Sequence, residues 1–167
     1  GVHHVVQVMN PLIEKVRSST PGSEFCVKHG LRPEDPIVAL LPGSRRKEVS
    51  RNLPEMLAAA FLLERSDPGI QFVAALAPSI SIDEVESVVR IAVSKPSRLT
   101  YVQNETYDLL NASAVAAVTS GTATLEAGIL GVPMAVVYKV PIIDYEVLKP
   151  LIDVPHIGLV NLVAGER

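Results

Sequence analysis

The sequence predicts an α/β fold, a Rossmann-like parallel sheet with helices on both faces, on three observations. Strand-like runs such as "PIVALLPGS" and "IQFVAALA" are apolar throughout rather than alternating, so both faces of each strand need cover. These runs alternate strictly with segments of helical spacing, the order of β/α units in a parallel sheet. The 167 residues, 48% of them hydrophobic, suit one domain with an ample core.

Residues 1–34 are mixed and read as a linker or docking segment, leaving 35–167 as the domain. Pro11 to Arg17 predicts a short helix, with Asn10 as its cap and Pro11 at the first helical position. Ser23 to His29 predicts another, stopped by Gly30, with Thr20-Pro21-Gly22-Ser23 as the turn between them. From residue 36 the pattern becomes regular. "PIVALLPGS" is the first strand, and "LPEMLAAAFLLE" the first long helix, with Asn52 placed to cap it. "IQFVAALA" is the second strand. "SIDEVESVVRIAV" is the next helix, where Ser81 and Glu84 form a capping box. "RLTYV", "TYDLLNA" and "SAVAAV" read as strand, helix and strand. A helix follows Thr119-Ser120-Gly121-Thr122, "PMAVVYKV" is the fifth strand, and "IDYEVLKPLI" is a helix that Pro150 bends or ends.

Several function classes are disfavoured. A net charge of −3 argues against nucleic acid, whose phosphates want a basic face. The single cysteine, Cys26, rules out an internal disulfide and fits a reducing compartment. His3, His4, His29 and His156 show no zinc-ligand spacing with it. No Asp-x-Asp occurs, so no carboxylate-held metal is expected, and neither a P-loop nor a GxSxG elbow is present. No apolar run approaches the roughly 18 residues that cross a bilayer, and no secretory signal opens the chain. The expectation is a soluble cytoplasmic protein, and a piece of a longer chain.

In open parallel sheets ligands bind beyond the carboxyl ends of the strands, where the strand order reverses. Two loops compete for that place. In "TSGTATLEAG", Gly121 lets a ligand's oxygens approach backbone N–H groups, Ser120, Thr122 and Thr124 add hydroxyls, and the helix start favours an anion. Glu126 has no Ser or Thr three residues before it, so it carries no capping duty. It can accept ribose hydroxyls, as acidic residues do in dinucleotide folds, or it is an ordinary solvated glutamate. In "LPGSRRKEV", Ser44 is followed by Arg45, Arg46 and Lys47, cations suited to phosphate, or to nothing more than a solvated basic turn. Together the loops describe a pocket for a nucleotide diphosphate.

"LLPGSRRKEV", "NLPEMLAAAFLL", "VTSGTATLEAGILGVPMAVVYKV" and "VPHIGLVNLVAGE" occur in that order over residues 36–166. The set resembles the C-terminal half of the lipid-A-disaccharide synthases. "VMNPLIEKV", residues 8–16, resembles the segment leading into that half, although the family usually has Gly-His or Gly-Asn where this chain has Met9-Asn10. The resemblance implies a GT-B architecture, with residues 35–167 as its UDP-sugar-binding domain. It implies transfer of 2,3-diacylglucosamine from UDP to 2,3-diacylglucosamine 1-phosphate (lipid X), with no cofactor beyond the UDP-sugar donor and no metal. Carried over, Ser44 and Arg45 contact the diphosphate, and Arg45 stabilises the leaving group. Ser120, Gly121 and Thr122 hold the diphosphate at the helix start, and Glu126 holds the ribose. Uracil meets backbone near Val102 and Gln103, and Asn161 lies near the same site.

The family's catalytic base and most acceptor contacts lie in the N-terminal half, so this piece alone is expected to be inactive. Acylated substrates imply a peripheral visit to the inner face of the cytoplasmic membrane. "YKVPIIDYEVLKPLIDVP" would contact lipid, or serve helix packing or a homodimer interface. Rival readings are a UDP-N-acetylglucosamine 2-epimerase or a peptidoglycan-type N-acetylglucosaminyltransferase, both of which commonly show Gly-Gly where this chain has Gly121-Thr122. A non-catalytic nucleotide-binding module is the rival of another class.

Overall fold

The computed structural model describes residues 11–139. Two short helices come first, α1 (Leu12–Lys15) and α2 (Gly22–Lys28). Then follow β1 (Ile37–Leu41), α3 (Arg46–Ser66), β2 (Gln71–Leu76), α4 (Ile82–Ile91), β3 (Thr100–Gln103), α5 (Thr106–Ala112), β4 (Val115–Thr119), α6 (Thr122–Ile129) and β5 (Met134–Val137). All strand pairs are parallel and the order is β3-β2-β1-β4-β5. This is the Rossmann-like arrangement expected of the apolar runs.

The register explains why those runs are continuous. Val38 pairs with Phe72 on one side and with Val115 on the other, so β1 is flanked along its length. Its side chains alternate between two core layers. Ile37, Ala39 and Leu41 join Phe25 and Cys26 of α2, Leu109 and Leu110 of α5 and Ala127 of α6. Val38 and Leu40 join Val49, Leu53, Met56 and Leu57 of α3 and Val85 of α4. Truncating a fully buried member such as Leu53 or Leu109 to alanine would cost about 3 kcal/mol.

The arm read as a linker is held at two points. Phe25 and Cys26 are buried in the first layer. Asp108, also buried, accepts from the Ser18 hydroxyl (2.8 Å) and from the backbone N–H groups of Ser19 (2.7 Å) and Thr20 (3.0 Å). Burial pushes the Asp108 carboxyl up, but these donors outweigh it and hold the group below its usual range.

Several local expectations need correction. The first helix starts at Leu12 with Pro11 in the N-cap position, and Asn10 lies outside the described residues. α2 starts at Gly22, cutting the anticipated turn short. The larger correction concerns α3, which begins at Arg46, two turns before its predicted start. Asn52 is therefore no cap. It is a buried helix-interior residue whose amide groups find tertiary partners. Asn52, two residues before Pro54, imitates a helix start, but Val49 already faces the core one turn before Leu53, and burying it extends the helix upstream. The Ser81–Glu84 capping box forms as expected, with Glu84 accepting from Ser81 N–H at 2.9 Å and Ser81 Oγ accepting from Glu84 N–H at 3.3 Å. The helix anticipated at "IDYEVLKPLI" lies outside the described residues. Among the described residues no helix is long and apolar enough to cross a membrane.

Candidate nucleotide site at the strand-order reversal

From β1 the chain moves outward through β2 to β3, and from β4 it moves the other way to β5. The connections leaving β1 and β4 therefore diverge, and a crevice opens above the carboxyl ends of these two neighbours. A cavity of about 520 Å³ occupies it. The first turn contributes Gly43, Ser44, Arg45 and Glu48, the second Ser120, Gly121, Thr122, Ala123 and Glu126. Six of the residues singled out from sequence thus share one hollow: Ser44, Arg45, Ser120, Gly121, Thr122 and Glu126.

The two walls differ. The first is closed on itself. Glu48, three residues into α3, folds back and accepts from the backbone N–H groups of Ser44 (3.0 Å) and Arg45 (3.2 Å) and from Arg45 Nη1 (2.7 Å). Burial pushes Glu48 up, but these three donors together hold it below the usual carboxylate range. Gly43 makes the fold-back feasible: its φ is 120°, and a Cβ there would stand 2.7 Å from both Cβ and Oε2 of Glu48. The basic loop expected from sequence is in fact the cap and first turn of α3. Arg45 is paired with Glu48, and Arg46 with Glu84 of α4 at 2.5 Å; of the three cations Arg45 lines the cavity and Arg46 and Lys47 do not.

The second wall is open. Among the described residues no side chain caps α6, whose first turn is braced from within by Thr124, its hydroxyl donating to Gly121 O at 2.8 Å rather than facing the cavity. A Cβ on Gly121 would meet nothing nearer than Thr119 O at 4.0 Å, so the space it would take belongs to the cavity. Glu126, one turn further along α6, accepts from the Tyr107 hydroxyl at 2.9 Å.

Asn52 joins the walls from beneath. Its Nδ2 donates to Pro42 O (3.4 Å) and Thr119 Oγ1 (3.2 Å), and its Oδ1 accepts from Lys139 N–H (3.1 Å), linking the carboxyl ends of β1, β4 and β5. A second hollow of about 310 Å³ adjoins the first across Glu126 and Thr106, and includes Arg17, Asn104 and Tyr107.

Two sequence candidates stand apart. Val102 is buried in the core, and Gln103 directs its amide to the carbonyls of Ala77 and Ile80. They belong to β3, two strands away from the crevice, and neither lines the cavity. Asn161 lies outside the described residues. Conversely, Glu48, Asn52 and Tyr107 were not singled out for the site. Asn52 carried a signal, being polar at a helical spacing from Val49 and Met56 that faces the core. Glu48 carried a weaker one, as an acid in the first turn of a helix whose start was misplaced. Tyr107 carried none.

The likeness to solved structures defines the class. The S. aureus MnaA–UDP co-structure superposes with a TM-score of 0.55 at 14% identity, over 92% of this chain and 40% of that one. Anabaena HepE (Alr3699) in complex with UDP-glucose gives 0.52 at 14% identity, over 73% and 35%. At that identity the likeness shows the fold alone, the Rossmann-like half of a GT-B arrangement. Sequence comparison is more specific. The family model described as lipid-A-disaccharide synthetase matches residues 4–167, and the chain belongs to that family. It is 42% identical over 159 residues to the lipid-A-disaccharide synthase of Syntrophus aciditrophicus and 41% identical over 160 residues to that of Geobacter metallireducens. These alignments take in 95% and 96% of this chain but 41% of each relative, so the chain spans about two-fifths of their length.

Proposed function

We propose that this chain is the nucleotide-sugar-binding half of a lipid-A-disaccharide synthase. The whole enzyme would transfer 2,3-diacylglucosamine from UDP to 2,3-diacylglucosamine 1-phosphate, releasing UDP. The observation that carries the reading is the cavity at the strand-order reversal, shared by Ser44, Arg45, Ser120, Gly121, Thr122 and Glu126 in a member of this family. Two structural neighbours crystallised with UDP or UDP-glucose support the nucleotide part of it.

In this reading the diphosphate rests against Gly121 at the uncapped start of α6, where backbone N–H groups and the helix dipole meet negative charge without a metal. The ribose lies against Glu126. The base continues into the second hollow, against the turn at Asn104–Thr106 rather than the interior of β3. The reaction is an inverting displacement in which the acceptor's 6-hydroxyl attacks the anomeric carbon opposite UDP. Charge growing on the leaving phosphate is stabilised by Arg45, released from Glu48, and by the α6 terminus. The general base comes from the native N-terminal half, so the piece alone binds UDP and does not turn over. The acyl chains of both substrates bring the enzyme to the inner face of the cytoplasmic membrane.

Calorimetric titration with UDP and a separate transfer assay test the proposal. The piece should bind UDP and make no disaccharide, and fusion to the native upstream half should restore synthesis. Turnover by the piece alone would refute the division of labour, and absence of UDP binding by the fused protein would refute the site.

A further inference from the structure

Glu126, half-buried on α6, lines both hollows. A glutamate has several rotatable bonds, and an unrestrained carboxylate would sample orientations that present its lone pairs to one hydroxyl or to none. Among the described residues its side-chain hydrogen-bond partner is the Tyr107 hydroxyl, 2.9 Å from Oε1. Tyr107 is well placed to hold another group still. It has fewer rotatable bonds than glutamate, and it leaves α5 immediately before Asp108, Leu109 and Leu110, all buried. Asp108 is clasped by Ser18, Ser19 and Thr20, so the first turn of α5 is tied down on both sides. Burial, and then the Glu126 carboxylate, push the Tyr107 phenol up, which keeps its proton in place to donate.

We infer that Tyr107 is a positioning residue for nucleotide recognition: its hydroxyl fixes the Glu126 carboxylate in the orientation that accepts the ribose hydroxyls. The inference rests on the reading of Glu126 as the ribose acceptor. One Oε1 lone pair is taken by Tyr107, and an ionised carboxylate has enough remaining acceptor sites for both hydroxyls of a ribose. The competing role for Tyr107 is that of a plain wall of the second hollow, which would serve the base and ignore the sugar.

The test is a set of calorimetric titrations of the full-length protein with UDP and with UDP lacking both ribose hydroxyls. The native protein should prefer UDP by about tenfold or more, the size of a charge-assisted hydrogen bond pair. Tyr107→Phe should cut that preference by about fivefold, with affinity for the dideoxy ligand unchanged. On a Glu126→Gln background the same substitution should change the preference no further, since the two residues act as one unit. An unchanged preference in Tyr107→Phe, equal weakening of both ligands, or additive losses in the double variant would each overturn the inference while leaving the nucleotide site standing. A native protein with no preference for the ribose form would overturn the ribose reading itself, and the inference with it.

Discussion

At the carboxyl end of β1 the chain enters α3 through Gly43, Ser44 and Arg45, and the positive end of α3 is filled by a carboxylate from its own first turn. At the carboxyl end of β4 it enters α6 through Ser120 and Gly121, and no side chain caps that helix. The two turns lie side by side on neighbouring strands and face one cavity, yet among the described residues only the first has its helix start capped by a side chain. The difference teaches that a cluster of cations in sequence does not by itself mark an open helix start. A glutamate three residues on can satisfy the helix start and pair with the arginine, whereas a glycine at the N-cap has no side chain with which to do so.

The comparison can be broken most sharply at Gly121. Gly121→Leu should fill the vacant turn and lower UDP affinity by about 100-fold, because the ligand loses both space and backbone donors. Its melting temperature should fall by about 4–8 °C, because Gly121 has a φ of 158°, which a side chain adopts only with strain, even though the cavity has room for it. A calorimetric titration showing near-native UDP affinity would mean that the anion lies elsewhere.

Asn52 supports both turns, so it should affect both. Asn52→Leu removes a buried donor from Pro42 O and Thr119 Oγ1 and should cost about 2 kcal/mol in urea unfolding. UDP affinity should fall as well, and a destabilised variant that bound UDP normally would show that the turns do not depend on this link.

Arg45→Ala removes a cation from the self-closed turn and should weaken UDP by about tenfold, one charge-assisted hydrogen bond. In the full-length protein it should depress turnover more than Glu126→Ala does, whose main loss is UDP affinity. Equal effects of the two variants on both parameters would contradict these roles.

The smallest effect is expected at Glu48. Glu48→Gln keeps acceptors for the α3 N–H groups but frees Arg45, so UDP affinity should rise by about threefold as a like charge leaves the diphosphate's neighbourhood. The variant should also change the acid limb of stability. Because the folded-state pKa of Glu48 is depressed, its contribution is fully present above the unfolded value of about 4.3 and is lost as pH falls through the lower folded value. Thermal melts between about pH 5 and pH 3 should show a shallower loss in the variant, by less than about 1 kcal/mol given the partial exposure of the pair. Weaker UDP binding by Glu48→Gln would mean that this carboxylate itself touches the ligand.

The strands and most helices were legible because their signals are local. Apolar runs such as Ile37–Leu41 and the Ser81–Glu84 box state their own structure within a few residues. The start of α3 was not legible, since Asn52 and Pro54 carry the marks of a helix start while the burial of Val49 decides otherwise. Of the six cavity residues that could be named from sequence, five lie in or at the end of a small, strand-ending turn that the chain itself marks, and Glu126 follows one turn into α6. Glu48 and Tyr107 could not, because their importance lies in where they fold back or reach across, and Tyr107 meets a residue 19 positions away. That Val102 and Gln103 stand apart from the cavity was not legible for a related reason: the distance of β3 from the crevice depends on strand order, which no single segment records.

By itself the sequence determined the alternation of elements, the two-sided burial of the sheet and the residue types at each strand-ending turn, since all follow from short-range periodicity and capping chemistry. Tertiary structure alone decided that β1 and β4 are neighbours, that Glu48 closes one turn while the other stays open, and that Tyr107 and Asn52 hold groups on other elements. Those outcomes depend on contacts between distant segments, whose geometry exists only once the layers have packed.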